Sequence, residues 1–175
     1  MTVNLNQNHF ELFGLPARFG IDAAALEARY HELQREVHPD RFAAAPEAER
    51  RVSMQLATRV NEAYQTLKSP LKRAVYILKL RGVDPGFETN TAMPPGFLVE
   101  QMSWRERIEA GSEEPEALLR LQAGLRDESR KIYETLHGQL DERRDDEAAS
   151  QTTRMLMFYE KLDEEIGDKL AELET

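Results

Sequence analysis

Apolar residues recur along most of this chain at the spacing of α-helices. In the segment 22–37 they are separated by four and three positions, which places them on one helical face: Leu26, Tyr30, Leu33 and Val37. The segment 47–68 repeats the pattern: Leu56, Val60, Tyr64 and Leu67. No segment alternates between apolar and polar residues as a half-buried strand would. The pattern predicts an all-α protein.

The tripeptide His38-Pro39-Asp40 lies between these two helical segments. Proline has no backbone N–H, and it disfavours the helical conformation in the residue before it. We therefore expect the first helix to begin after Asp22, which is a good N-cap, and to end near Val37. The tripeptide then forms an exposed corner that presents an imidazole and a carboxylate.

Two further signals mark where the next helix begins and ends. Ser69-Pro70 combines a capping serine with a proline at the first helical position, and Gly82 is a typical C-terminal stop. The segment 82–96, GVDPGFETNTAMPPG, is rich in glycine and proline and has no helical period. It is predicted to be a linker.

The second half of the chain has the pattern of three amphipathic helices. The first is expected over about 97–110, with a break at Gly111-Ser112. The apolar stripe of the second is Leu118, Leu121, Leu125, Ile132, Leu136 and Leu140. The stripe of the third is Thr152, Leu156, Tyr159, Leu162, Ile166, Leu170 and Leu173. Short charged turns between them predict an antiparallel three-helix bundle.

Composition narrows the setting and the partners. The chain has no cysteine, no secretory pattern at its start and no apolar run near the roughly 20 residues of a membrane span, so we expect a cytoplasmic protein with no membrane partner. Residues 1–80 hold 11 Lys and Arg against 9 Asp and Glu, whereas residues 81–175 hold 12 against 23. The acidic half argues against nucleic acid, which requires a dense basic face. The sequence leaves the oligomeric state open, a weak homo-oligomer included.

Candidate chemistry within the chain itself is sparse. His38 and Asp40 could form a general acid/base pair, but no nucleophile or oxyanion site accompanies them in the sequence. The four histidines lack the spacing of a helical zinc site, and there is no glycine-rich nucleotide loop. We expect no cofactor and no metal, and catalysis by this chain alone is not expected.

The arrangement of helix, His38-Pro39-Asp40 and second helix resembles the J domain of co-chaperones, together with Arg41-Phe42 and Asn61-Glu-Ala-Tyr64. Three blocks narrow the resemblance to the HscB family of iron–sulfur co-chaperones: Phe10-Glu-Leu-Phe-Gly-Leu-Pro16, Pro70-Leu-Lys-Arg-Ala-Val-Tyr76 and Phe97-Leu-Val-Glu-Gln-Met102. The resemblance implies a J domain at 1–81, a linker at 82–96 and a client-binding bundle at 97–175. Some members carry an N-terminal cysteine zinc module, which this chain lacks.

In J proteins the aspartate of the tripeptide pairs with an arginine on the ATPase domain of a DnaK-type chaperone. The resemblance therefore implies that Asp40 makes this charge-assisted contact and that His38 and Pro39 shape the corner. It also implies that Arg29 and Arg35 steer the domain to an acidic patch, with Arg41 beside the motif. Many J proteins have lysine where this chain has Arg41. The partner implied is HscA, whose ATPase the chain would stimulate without being an enzyme.

The client implied by the resemblance is IscU, the scaffold protein on which iron–sulfur clusters are built. The family's binding patch corresponds here to Leu98, Val99, Met102, Glu106 and Phe158. Leu98, Met102 and Glu106 recur every four residues, so one helical face can present them together. The alternative is that the apolar members of this set are bundle core. Ser103 and Ala110 stand where relatives often have glutamate, which predicts a more apolar patch.

Three other functions remain open from the sequence. A J protein with a different client would have a purely apolar, promiscuous patch. A helical adaptor without a chaperone role would keep its partners after Asp40→Asn. An acid/base enzyme that uses His38 and Asp40 would turn over a small molecule without a chaperone.

Overall fold

The computed structural model describes residues 6–86 and 95–174. Its helices are α1 His9–Phe13, α2 Ala23–Val37, α3 Glu47–Lys68, α4 Pro70–Leu80, α5 Pro95–Ala110, α6 Pro115–His137 and α7 Asp146–Leu173. The described residues contain no β-strand, so the all-α prediction is confirmed. Backbone contacts divide the chain into two units, Met1–Ile77 and Leu78–Thr175, and each is described by itself.

The helices of the first unit begin and end where local chemistry predicts. The carboxylate of Asp22 accepts hydrogen bonds from the N–H groups of Ala24 and Ala25 at 2.9 and 3.1 Å, which confirms its role as N-cap of α2. The α2 helix ends at Val37, as the proline two residues later requires.

In the first unit α2 packs antiparallel to α3. Between the two helices the rings of Tyr30 and Tyr64 stack with centroids 3.9 Å apart, and the Tyr30 hydroxyl donates to Asn61 Oδ1 at 2.9 Å. Short α1 covers the pair, and its His9 ring stacks on Tyr76 of α4. The fully or nearly fully buried apolar side chains of this core include Phe10, Leu26, Leu33, Val60, Ala63 and Leu67. This is the fold of a helical hairpin with a tightly packed interior.

The second unit is a three-helix bundle built on the long contact between α6 and α7, with α5 against α6. Its core confirms most of the predicted stripes: Leu118, Leu125, Leu136, Leu140, Leu156 and Ile166 are all less than 2% exposed. Leu121 and Leu170 of the stripes are only half-buried. Leu173 is exposed at 42%, because it is the last residue of α7. The turn between α6 and α7 passes through a π-type turn, Gly138–Arg143, and a left-handed Arg144.

The C-terminal end of α4 is capped, and Arg81, which follows it, forms hydrogen bonds with the bundle. Gly82 adopts φ 77°, and Gly82 and Val83 return hydrogen bonds to Lys79 and Leu78, which is a Schellman cap and confirms the predicted stop. The guanidinium of Arg81 donates to the Asp146 carboxylate at 2.5 Å and to the Leu140 carbonyl at 2.9 Å.

The segment just after this cap also contacts the bundle. Arg154 of α7 donates to the Pro85 carbonyl at 2.5 Å, and Pro85 and Gly86 are buried. The start of the predicted linker is therefore held by hydrogen bonds within the second unit. Residues 87–94 of that linker lie outside the described residues, and the domain boundaries remain a prediction.

Arg81→Ala should destabilise the second unit more than the loss of an ordinary surface ion pair. Both Arg81 and Asp146 are largely shielded from water, with side chains 22% and 27% exposed, and hydrogen bonds to charged groups contribute about 1.5–3 kcal/mol each. We expect the free energy of unfolding to fall by about 1.5–3 kcal/mol.

The measurement is chemical denaturation followed by the fluorescence of Trp104, the single tryptophan of the chain, which is buried in the second unit. Arg126→Ala is the matched control. Its ion pair with Asp163 is more exposed, at 61% and 36%, so it should cost less than about 1 kcal/mol. Equal losses in the two variants would contradict the role given to Arg81.

Among the residues that the structure describes, no helix is both long and apolar enough to cross a membrane.

Candidate functional site

The corner between α2 and α3 has the backbone that its proline imposes. His38 leaves the helical region, with φ −59° and ψ 127°, and Pro39–Phe42 form a single 3₁₀ turn. The His38 ring closes this turn, because its Nδ1 accepts the Asp40 N–H at 3.2 Å. A histidine, a proline and an aspartate in this order therefore fix the direction in which the carboxylate leaves the chain.

The Asp40 carboxylate is presented to the outside. Its side chain is 90% exposed, and His38 Nδ1 lies 3.6 Å from Oδ2, which is too long for a hydrogen bond. That nitrogen already accepts the amide of Asp40. Because His38 Nδ1 is occupied by this bond, it is not a strong partner for the Asp40 carboxylate within the corner. The exposed carboxylate therefore suits contact with a cation on another molecule.

Three of the residues assigned by resemblance line one open concavity beside the corner. Arg35, His38 and Arg41 share it with His31 and Gln34. The last two were not among the predicted site residues. Positions 31, 34, 35 and 38 follow the i, i+3, i+4, i+7 spacing of one helical face, so the sequence contained the signal that would have found them.

The two predicted steering arginines of α2 differ in their surroundings. Arg29 is 20% exposed, and its guanidinium lies 3.0 Å from Glu32 and 3.7 Å from Glu36. Arg35 is exposed and its Nε donates to the His31 carbonyl at 3.2 Å, and it forms no ion pair with a carboxylate in the part of the chain that the structure describes. Arg35 is thus the better placed of the two for a negatively charged partner.

Arg41 contacts the chain itself. Its guanidinium donates to the carbonyl oxygens of Arg35 and Glu36 at 3.1 and 3.4 Å, so it caps the C-terminal end of α2. Sequence reasoning placed Arg41 beside the motif as a chaperone contact and did not find this capping role.

The second group of predicted residues lies on α5. Leu98, Val99 and Met102 are 49%, 68% and 63% exposed, and Glu106 is exposed as well. The alternative that the apolar members of the set form bundle core is wrong for these three residues, because the buried face of α5 is made by Phe97, Trp104 and Ile108. Ser103 and Ala110, the positions without the expected glutamates, are also exposed.

Phe158 of α7 lies at the edge of this surface. It is half-buried, its ring meets that of Phe97 edge to face at 5.5 Å, and the Arg105 guanidinium lies over it at 6.0 Å. Arg105 follows Met102 by three residues and so lies on the same side of α5. Phe158 therefore supports one edge of the patch, and Arg105 adds a positive charge that sequence reasoning missed.

A buried tyrosine fixes the start of α5 to α7. The Tyr159 hydroxyl donates a short hydrogen bond to the Glu100 carboxylate, and the tyrosine is 2% exposed. Burial, and then the hydrogen bond to Glu100, raise the pKa of Tyr159 well above its usual value. The hydroxyl therefore stays protonated, and keeps its bond between α7 and α5, further into the alkaline range than an exposed tyrosine would.

No group of three or more metal-ligating His, Asp or Glu side chains occurs in residues 6–86 and 95–174. The chemistry of both surfaces is that of recognition, with an exposed carboxylate on one and exposed apolar side chains on the other.

Comparisons with known proteins match both parts of the chain. A family model described as the DnaJ domain matches residues 8–76, and one described as the HSCB C-terminal oligomerisation domain matches residues 93–167. A protein named "Co-chaperone protein HscB homolog" from Aromatoleum aromaticum is 52% identical over 177 residues, which is 100% of each chain.

Two solved structures have the same fold. "Chaperone HscB from Vibrio cholerae" is 38% identical with a TM-score of 0.84, and the match covers 95% of this chain and 99% of that one. The "human co-chaperone protein HscB" is 30% identical with a TM-score of 0.89, covering 95% of this chain and 83% of that one.

Proposed function

The chain belongs to the HscB family of J-domain co-chaperones, and from this premise we propose that it recruits the DnaK-type chaperone HscA, stimulates its ATPase and delivers the scaffold protein IscU to it. Cluster transfer from the scaffold would then be coupled to ATP hydrolysis. Binding that favours the hydrolysing state of the chaperone makes this chain an activator and HscA the enzyme.

The proposal rests on one observation: the same chain has both the His38-Pro39-Asp40 corner and an exposed apolar patch on α5. The corner holds an exposed carboxylate on a closed turn, as a charge-assisted contact requires. The patch exposes Leu98, Val99 and Met102 on a different structural unit. Two separate recognition surfaces fit a protein that brings a client to a chaperone.

The test is single-turnover ATP hydrolysis by purified HscA, measured with the chain alone, with IscU alone and with both. We expect the chain alone to accelerate hydrolysis and the two together to accelerate it further. Stimulation that IscU does not change would support a J protein with a different client. No stimulation under any condition would contradict the co-chaperone role.

Within this proposal, Arg35→Ala should weaken the interaction with the chaperone more than Arg29→Ala. Arg35 is exposed, whereas Arg29 is already paired with Glu32 and Glu36 and is 20% exposed. We expect the half-maximal concentration for stimulation to rise about threefold to tenfold for Arg35→Ala and less for Arg29→Ala, since a surface charge contact contributes about 1 kcal/mol.

The effect should shrink as salt is raised, because ions screen contacts between exposed charges. Titrations at about 50 mM and 300 mM salt, where screening differs strongly, provide the check. Arg50→Ala, which removes an exposed charge from the start of α3, is the control for net charge. A larger loss for Arg29→Ala, or a loss for Arg35→Ala that salt does not reduce, would contradict the assignment.

A further inference from the structure

The turn at His38-Pro39-Asp40 removes the normal donors from the last carbonyl groups of α2. In a continuing helix the carbonyl of Arg35 would accept from residue 39, but Pro39 has no N–H. The carbonyl of Glu36 would accept from Asp40, whose N–H goes to the His38 ring. The carbonyl of Val37 would accept from Arg41, whose N–H goes to the His38 carbonyl at 3.0 Å. The motif therefore leaves three carbonyl groups in need of other donors.

Two side chains supply them. The Arg41 guanidinium donates hydrogen bonds to the carbonyl oxygens of Arg35 and Glu36, at 3.1 and 3.4 Å. The third, that of Val37, accepts from the hydroxyl of Ser53 at 2.8 Å. Ser53 belongs to α3 and lies 16 residues further along the chain, so this bond ties the facing helix to the residue immediately before the corner.

The hydrogen bond from Ser53 is buried, whereas the two from Arg41 are at the surface. Ser53 is 2% exposed and Val37 is 4% exposed, whereas Arg41 is at the surface. Water can replace Arg41 at an exposed carbonyl, but it has little access to the buried carbonyl of Val37. Loss of the Ser53 hydroxyl would leave that carbonyl without a partner, which drives the peptide between Val37 and His38 to rotate toward another donor.

We propose that Ser53 is a positioning residue for the chaperone contact, holding the Val37–His38 peptide so that the Asp40 carboxylate points in the direction its partner requires. The inference rests on the proposed function. It assigns a role to a buried serine on α3 that the tripeptide and its resemblance leave without one. Ser53 touches no partner itself and acts through the backbone of the corner.

The experiment compares Ser53→Ala with Ser53→Cys and Val60→Ala in the full-length chain. Alanine removes the donor, and cysteine keeps the branching of serine with a somewhat larger atom that donates only weakly. Val60 is fully buried in the middle of α3, so Val60→Ala lowers the stability of the same unit without touching the corner. Thr58→Ala removes an exposed hydroxyl that bonds within α3 and serves as the control for the loss of a hydroxyl alone.

Two quantities are measured: the chain concentration for half-maximal stimulation of HscA, and the amide NMR signals of Asp40 and Arg41. For Ser53→Ala and Ser53→Cys we expect the concentration to rise about threefold to tenfold, the effect of one lost hydrogen bond, and both amide signals to shift. Val60→Ala and Thr58→Ala should change neither quantity at temperatures where they remain folded.

The outcomes separate this inference from the proposed function. Where the wild-type chain stimulates HscA, a change in only one of the two quantities for Ser53→Ala would overturn the positioning role of Ser53. Equal changes for Val60→Ala would overturn that role as well. If the wild-type chain gives no stimulation, the proposed function fails. The Asp40 and Arg41 signals then decide by themselves whether Ser53 positions the corner, and unchanged signals would overturn that role.

Discussion

Asp40→Asn should strongly reduce the stimulation of the chaperone ATPase and leave the fold intact. The carboxylate is 90% exposed, and the hydrogen bond that closes the turn uses the backbone N–H of Asp40, not its side chain. Asparagine has nearly the same shape, but it is neutral and offers an arginine one acceptor oxygen in place of two, a loss of about 1.5–3 kcal/mol or more. We expect stimulation to fall about tenfold to a hundredfold when the concentration of the co-chaperone chain is below saturation.

The matched control is Asp22→Asn, which removes one exposed carboxylate from the same unit at the opposite end of α2. Asparagine caps helices about as well as aspartate, so both the stability and the stimulation should stay close to wild type. Single-turnover hydrolysis and thermal unfolding of the three proteins provide the comparison. Full stimulation by Asp40→Asn would remove the Asp40 carboxylate from the mechanism and would mean that the chain contacts the chaperone through other residues.

The corner was readable from the sequence because its causes are local. Proline at position 39 ends α2 whatever surrounds it, and an aspartate at position 22 caps the helix through its own neighbouring amides. The roles of Arg41 and Ser53 could not be read in the same way. The bond of Ser53 to Val37 depends on how α3 pairs with α2, which the periodicity of either helix leaves undetermined.

The surface of α5 was ambiguous for a different physical reason. Its apolar residues surround the helix instead of forming one stripe: Phe97, Trp104 and Ile108 are buried, while Leu98, Val99 and Met102 are exposed. A periodic pattern identifies the buried face only when the opposite face is polar. Here the sequence allowed either face to be core, and the packing of α5 in the bundle decided it. Apolar residues on the solvent side are then the ones that call for a partner.

Replacing Leu98 and Met102 together by alanine should weaken scaffold binding about tenfold to a hundredfold. Both side chains are about half exposed or more, at 49% and 63%, so their apolar surface is free for a partner. Burying one such side chain at an interface contributes about 1–2 kcal/mol, and two on one helical face act at the same contact. The bundle should lose little stability, because neither residue belongs to its core.

The control for this pair is Leu119→Ala on α6, a leucine of the same unit with a similar exposure of 54% that lies outside the patch. Calorimetric titration with IscU should separate the two variants, and Trp104 fluorescence should show that both remain folded.

The ATPase assay adds a second distinction. The double variant should still stimulate HscA in the absence of IscU, because its corner is intact, but should lose the additional stimulation that IscU brings. If Leu119→Ala weakens binding as much as the double variant, the client surface is not confined to α5. If the double variant binds IscU like wild type, the apolar face of α5 serves another partner, and the J-domain half of the mechanism stands without it.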